Sequence, residues 1–376
     1  MSGVAPASEA ASDRAFAAAQ DFLLGTKTFW TTRMFPALRA EVEARTPSVK
    51  AGMPDAVRIA PEEVAAVAAT LQDSTLYQSF AWLERHLQRM KYSGRYGLVN
   101  WHARDRAAIE AALAAAPVAL DPLLEMPRYY TRVDIHQHPG GVWSDPLAGA
   151  IYERGARSTT PLAGAQHADL HERFTRQVAA LFATGGAPQA VLDMGCGFGK
   201  STLPFARTFA AARIEAIDLA APCLRLAARL QLEVGLDNLH YAQVNAAQTP
   251  FDANQFDLVT STMLLHELPP PMVENVLREA ARVLKPGGWM AHLDFLPQVQ
   301  PRADAFSQFI YFGHGRRNNE PFMEPLANLP LAARLESLGF TDIVIAPFEE
   351  APGALDPANP NWRFPWAVIR ARKARA

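Results

Sequence analysis

Apolar residues recur at spacings of three and four through the first third of the chain, as in Val64, Val67 and Leu71 and again in Phe80, Leu83 and Leu87. That period places them on one helix face, so Ser8 to Ala115 is expected to be helical. Pro61 followed by Glu62 and Glu63 marks one helix start, Asp73 or Ser74 can cap the next, and Ser93-Gly94 with Gly97 ends it. Between Pro117 and Ala165 no period is sustained, and Pro, Gly, Tyr, His and Trp accumulate. Tyr129, Tyr130, Trp143 and Tyr152 need packing partners, which argues for an ordered connector over a disordered linker. From His167 onward, apolar runs at Ala190 to Met194, Ile214 to Asp218, Leu258 to Ser261, Trp289 to Asp294, Ile343 to Ile345 and Ala367 to Ile369 alternate with helical stretches. Alternation of this kind predicts βαβ units and a mostly parallel sheet.

With 376 residues, the chain suits two domains or one large elaborated one at roughly 150 residues per domain. Its 49% hydrophobic and 20% charged residues are those of a folded globular protein. Thirty-six Lys and Arg against 38 Asp and Glu give a formal charge of −2, so no global positive field draws it to nucleic acid or anionic lipid. Cys196 and Cys223 make neither a disulfide framework nor a four-thiolate zinc site. Met1 to Ala10 lacks the basic start and apolar run of a secretory signal, and the expected location is cytoplasmic. The longest near-apolar stretch, Ala107 to Leu120, is broken by Glu110 and Pro117 and falls short of the ~18 residues of a membrane span.

The turn after the Ala190 to Met194 run reads Gly195-Cys196-Gly197-Phe198-Gly199-Lys200-Ser201. A Walker loop would need glycine where Met194 stands, and a dinucleotide fingerprint would need it at Lys200. What remains is Asp-x-Gly-x-Gly-x-Gly in Asp193, Gly195, Gly197 and Gly199, and here the chain resembles the class I S-adenosylmethionine-dependent methyltransferases. Further segments arrive in that family's order. Asp218, followed by Leu219, ends a second strand 19 residues after Gly199; Val244-Asn245-Ala246 stands where the family has Gly-Asp-Ala. Phe256 to Ser261, the turn Pro286-Gly287-Gly288, Leu338-Gly339-Phe340 and Trp366 to Ile369 complete the series.

The resemblance covers about 210 residues and implies a doubly wound, Rossmann-like α/β fold with a seven-stranded sheet. It divides the chain into a helical N-terminal domain (1–125), a connector or lid over the active site (126–165) and a methyltransferase domain (166–376) whose residues 296–335 form a substrate cap. It implies S-adenosyl-L-methionine as cofactor, with Asp193, Gly195, Gly197 and Gly199 at the methionyl part, Asp218 and Leu219 at the ribose, and Asn245 and Ala246 at the adenine.

Methyl transfer from a sulfonium is an in-line displacement whose main demands are alignment and exclusion of water. A base matters for a hydroxyl, an amine or a carbon acid and hardly at all for a thiolate. His266 follows the fourth strand, where related enzymes carry a histidine near cofactor and acceptor; Tyr130 and His136 of the connector and Tyr311 of the cap are the other candidates. His292 and Asp294 share one face of the fifth strand, and either can line the pocket. His136 with His138 on a strand face, or His167 with His171 on a helix face, lack a carboxylate or thiolate at a confirming spacing, so no metal is expected. Aromatic density at Phe306, Phe309, Tyr311 and Phe312 suits an aromatic or apolar small-molecule acceptor, and Arg316-Arg317 can hold an acidic group or sit on the surface. Thr260-Ser261-Thr262 replaces the Asn-Pro-Pro-Tyr of amide and exocyclic-amine methylators, and Pro222-Cys223 follows the second strand, not the fourth, which argues against DNA and RNA substrates. Two rival readings stand beside O-, N-, S- or C-methylation of a small molecule. One is intramolecular cyclisation or aminocarboxypropyl transfer with the same cofactor; the other is a non-catalytic cofactor-binding regulator. A homodimer through the N-terminal helices stays open.

Overall fold

A computed structural model describes residues 14–46, 59–157 and 167–375. The Met1 to Ala10 reading, the Ser8 helix start, the side chain of His167 and the boundary at 165–166 lie outside the described residues. Seven strands form one sheet: β1 (Ala190–Met194), β2 (Arg213–Asp218), β3 (Leu239–Gln243), β4 (Phe256–Thr262), β5 (Leu284–Phe295), β6 (Phe340–Pro347) and β7 (Trp366–Lys373). Their order is β3-β2-β1-β4-β5-β7-β6. The first five run parallel, and β7 is antiparallel to both β5 and β6. The order reverses direction beside β1, so the carboxyl ends of β1 and β4 flank the crevice where ligands bind in open α/β sheets.

Both sheet faces are covered, as the near-continuous apolar runs require. Leu192 and Met194 pack with Val273, Val276, Leu277 and Ala280 of helix Pro270–Val283, whereas Val191 packs in a second cluster with Phe174 and Phe205. Helix Ala221–Val234 starts with proline in its first turn and stops at Gly235, whose φ is +66°. β5 begins at Leu284, immediately after the preceding helix, so Pro286-Gly287-Gly288 lies within the strand and not in a turn ahead of it.

The N-terminal helices Phe35–Arg45, Pro61–Leu71 and Thr75–Tyr92 belong to the same hydrophobic cluster as one face of the sheet, whereas Phe16 of helix Arg14–Phe29 packs in a separate cluster with Tyr92, Leu98 and Ile109. Ser74, not Asp73, caps the last of them by accepting from the Tyr77 amide at 3.0 Å. Trp30 stacks on Phe80 with centroids 4.3 Å apart and meets Trp362 edge-on at 5.2 Å. Arg39 ties these helices to helix Ala305–Asn318 by donating to Asp304 at 2.5 Å and to Ser307 at 2.7 Å. Asp304 also caps that helix through the Ser307 amide.

The connector contains short helices at Arg128–Thr131, Gly141–Ser144 and Ala148–Ala156. Its Ala119 pairs alongside the outer edge of β3, donating to Tyr241 O and accepting from the Gln243 amide at 2.8 Å. The expectation that His136 and His138 share a strand face is corrected. Residues Ile135–Gln137 make a tight 3₁₀ turn in which His136 and Gln137 have φ of 57° and 55°, and the two rings diverge. His138 is buried against Tyr92, 4.9 Å between ring centroids.

Asp304→Ala should lower stability by about 3–5 kcal/mol, because it strands a guanidinium that is only 7% exposed. Urea unfolding of the variant measures this, and a loss below ~1 kcal/mol would show that the cover is not held by this pair.

Candidate functional site

β1 ends at Met194, and the chain then turns through Gly195, Gly197 and Gly199 with φ of +71°, +53° and +80°. The amides of Gly195 and Cys196 both donate to Ile217 O, which pins the loop to the end of β2. At Gly199 a Cβ would lie 2.2 Å from the Tyr241 hydroxyl oxygen, so backbone conformation and space both require glycine there. A Cβ on Gly197 would meet nothing within 4 Å; this residue faces open space, and its amide donates to Asp218 Oδ2 at 2.8 Å.

The loop borders a cavity of about 250 Å³ that extends beneath the N-terminal helices. Gly195, Gly197, Asp218, Leu219, Asn245 and Ala246 line one part of it. Trp30, Lys91, Trp362 and Phe364 line another, with Tyr130, His136 and Tyr152 of the connector also in the wall. Two buried polar atoms of the wall, Thr262 Oγ1 and Glu267 Oε2, have no hydrogen-bond partner among the described residues. Such atoms are rare in folded proteins and point to a ligand that satisfies them. The glycine cradle, the Asp218 carboxylate at the end of β2 and the Asn245 turn fit a nucleoside bearing an amino acid arm.

Alternating acids and bases run along the cavity wall and just behind it. Asp294 Oδ1 accepts from His266 Nδ1 at 2.7 Å, and the other ring nitrogen of His266 lies 3.5 Å from Glu267 Oε1. The same Glu267 oxygen is 3.1 Å from His136 Nε2, and His136 Nδ1 is 3.0 Å from Glu320 Oε1. His314 and Glu84 form the next pair at 2.5 Å, and Arg317 closes the series on Glu84. Burial opposes charging of His136, but Glu267 and Glu320 outweigh it and raise its pKa to about 9. Burial likewise works against a cationic His266, and Asp294 and Glu267 overcome it, holding the pKa well above the usual imidazole range. The carboxyl of Glu267 is held far below its ordinary range because His136 and His266 outweigh its burial. Burial pushes the phenols of Tyr130 and Tyr152 well up, so both remain neutral donors.

Several expected residues converge on this cavity: Gly195, Gly197, Asp218, Leu219, Asn245, Ala246, His266, Tyr130 and His136, whereas Gly199 packs behind the loop against Tyr241. Asp193 does not reach its wall. Its side chain accepts from Thr202 at 2.6 Å behind the loop, and burial raises its pKa to about 7. Tyr311 is also absent from the wall; it is 2% exposed, and its hydroxyl donates to Phe295 O at 3.3 Å. Neither His292 nor Asp294 lines the cavity, since His292 pairs with Ser261 at 2.6 Å and Asp294 supports His266 from behind. Arg316 makes an exposed pair with Glu324, so only Arg317 turns inward. Cys196 and Cys223 are free buried thiols. Among the described residues no group of three or more His, Cys, Asp or Glu side chains is placed to hold a metal ion. Sequence reasoning missed Glu267, Glu320, Lys91 and Trp30; only Glu267, next to His266, carried a local signal.

Residues 191–288 match a family model described as "Methyltransferase domain". A ubiquinone biosynthesis O-methyltransferase of Albidiferax ferrireducens is 40% identical over 108 residues, 28% of this chain and 40% of that protein. An uncharacterized methyltransferase of Synechocystis is 33% identical over 153 residues, 41% of this chain and 67% of that one. The chain thus spans less than half the length of the first of these relatives and two thirds of the second. The crystal structure of phosphoethanolamine N-methyltransferase 2 from Haemonchus contortus with S-adenosyl-L-methionine superposes at a TM-score of 0.41 and 18% identity, over 54% of this chain and 52% of that one. With its sheet order, its glycine loop, the family-model match and the Synechocystis relative, the chain belongs to the class I S-adenosylmethionine-dependent methyltransferases. S-adenosyl-L-methionine is its cofactor.

Gly199→Ala should weaken S-adenosylhomocysteine binding at least tenfold in calorimetry, since the added methyl displaces Tyr241 and strains the loop. Binding within twofold of wild type would place the cofactor elsewhere. The His136 pair gives a pH signature. Its folded pKa is raised, so its contribution to stability is complete below about 6.5 and is lost as pH climbs through 9. The thermal midpoint should therefore fall between pH 6.5 and 9, and His136→Gln should flatten that fall.

Proposed function

We propose that the protein transfers a methyl group from S-adenosylmethionine to a small-molecule acceptor in the cytoplasm. The observation that carries this reading is the single cavity that adjoins the glycine loop and also passes under the N-terminal helices and connector. Gly195, Gly197 and Gly199 shape the cofactor's amino acid end, Asp218 and Leu219 meet its ribose, and Asn245 and Ala246 its base. When bound, the cofactor supplies an electrophilic methyl group. Asp193 acts one step back, fixing Thr202 and the loop's exit into the helix.

The protein's own contribution is alignment and exclusion of water. Trp30, Trp362 and Phe364 give the acceptor side aromatic walls, which suits a ring-bearing or otherwise apolar molecule. Tyr130 and Tyr152 keep their phenol protons, and His266 and His136 are fixed cations beside Glu267. Among the described residues no helix is long and apolar enough to cross a membrane.

Calorimetric titration with S-adenosylmethionine and S-adenosylhomocysteine, with NADH and ATP as controls, should show binding of the first two alone. Incubation with an acceptor panel should then yield S-adenosylhomocysteine. Methylthioadenosine in its place would replace methyl transfer with chemistry on the cofactor's own arm.

A further inference from the structure

The segment that follows β4 presents two unanswered polar atoms to the cavity. Thr262 is 6% exposed, and its Oγ1 has no hydrogen-bond partner among the described residues. Glu267 uses Oε1 for His136 and His266, while Oε2 is buried and has none. Both residues line the cavity beside Met263 and Leu264, the same wall that meets the glycine loop where Leu264 packs against Gly195. A carboxylate oxygen can only accept, so whatever satisfies Oε2 must carry a donor hydrogen. A molecule without O–H or N–H would leave that charged oxygen stripped of water and unpaired, which is unfavourable.

Resting on the methyltransferase reading above, we propose that Glu267 is a catalytic residue that receives a hydroxyl of the acceptor on Oε2, with Thr262 Oγ1 as its second polar contact, making the protein an O-methyltransferase. The electrostatics separate a hydroxyl from an amine. An ammonium group would bind the carboxylate but has no lone pair until it loses a proton, and Glu267, whose affinity for protons His136 and His266 lower, is a poor acceptor for it. A neutral hydroxyl already has a lone pair for attack. As the new O–C bond forms, the bond from carbon to the donor sulfur breaks, and its electron pair stays on sulfur. The acceptor oxygen becomes positive and strongly acidic at that moment, and its proton passes to Glu267 Oε2. The products are a neutral methyl ether and a neutral carboxylic acid, which then loses its proton to water as the site opens.

The full chain saturated with S-adenosylhomocysteine provides the test, with 2-naphthol and 2-methoxynaphthalene as probes that differ in whether the oxygen carries a hydrogen or a methyl group. Calorimetry should show the naphthol binding at least tenfold more tightly than its ether. In Glu267→Gln, which turns an acceptor into a donor, that preference should disappear while S-adenosylhomocysteine affinity stays within twofold. Thr262→Val should reduce the preference by a smaller factor. With S-adenosylmethionine, hydroxylated arenes should release S-adenosylhomocysteine, and Glu267→Gln should lower kcat at least tenfold. Equal binding of the two probes, no binding of either, an unaffected Glu267→Gln variant, or faster turnover of matched thiols or amines would each overturn the assignment. Failure of S-adenosylhomocysteine itself to bind is a different result, which removes the underlying reading as well.

Discussion

Carboxylates and imidazolium groups cannot be withdrawn from water one at a time. The desolvation cost of each exceeds what an isolated hydrogen bond returns, so burial demands partners of opposite sign in direct contact. The cavity wall and the layer behind it meet that demand by alternation: Asp294, His266, Glu267, His136 and Glu320 follow one another, each within hydrogen-bond or ion-pair reach of the next. These five side chains come from β5, from the turn after β4, from the connector, and from the residue just beyond helix Ala305–Asn318. None of the four stretches can be displaced without exposing an unpaired charge to a low-dielectric interior. The position of the connector in the cavity wall is therefore fixed by electrostatics as much as by apolar packing.

The parts of this arrangement that a sequence exposes are those generated by neighbours in the chain. β1 is marked by a five-residue run, apolar except for Asp193, followed by glycines, and the run coincides with the strand because a buried parallel strand needs no alternation. Asp218, Leu219, Asn245 and Ala246 were legible for the same reason: strand ends in this fold project loops toward one crevice. Glu320 was not legible. It meets His136 across 184 positions of chain, and nothing near it in sequence distinguishes it from a solvated glutamate. Lys91 and Trp30 sit on helices whose periodicity marks an inner face but cannot tell whether that face meets core or cavity. His136 was misjudged in geometry because alternation presumes extended backbone, whereas its φ of 57° turns the ring the other way. Tyr311 and Asp193 show the complementary error, in which a residue type suited to chemistry is consumed by packing and loop support.

Cover and core are not independent layers here. Trp30, Leu38 and Phe80 of the N-terminal helices share a cluster with Phe306 and Trp362 of the C-terminal part, so the part of the cavity under these helices is built on the same hydrophobic foundation as the sheet. Function in such a fold is set by what is laid over a shared scaffold. In this chain the overlay carries Glu320, Lys91 and the aromatic wall, and the scaffold carries Glu267 and the glycines.

The pairing of Ala119 with β3 extends this dependence to the far side of the sheet. An uncovered outer strand presents a row of free amide and carbonyl groups to any other extended chain. Here a segment from ahead of the catalytic domain lies along part of that row and protects it. Residues 166–376 excised alone would lose this guard as well as their apolar roof, so the family domain of this protein is not a transplantable module, and a chimera that swaps its acceptor side must keep the strip around Ala119 or inherit a self-associating edge.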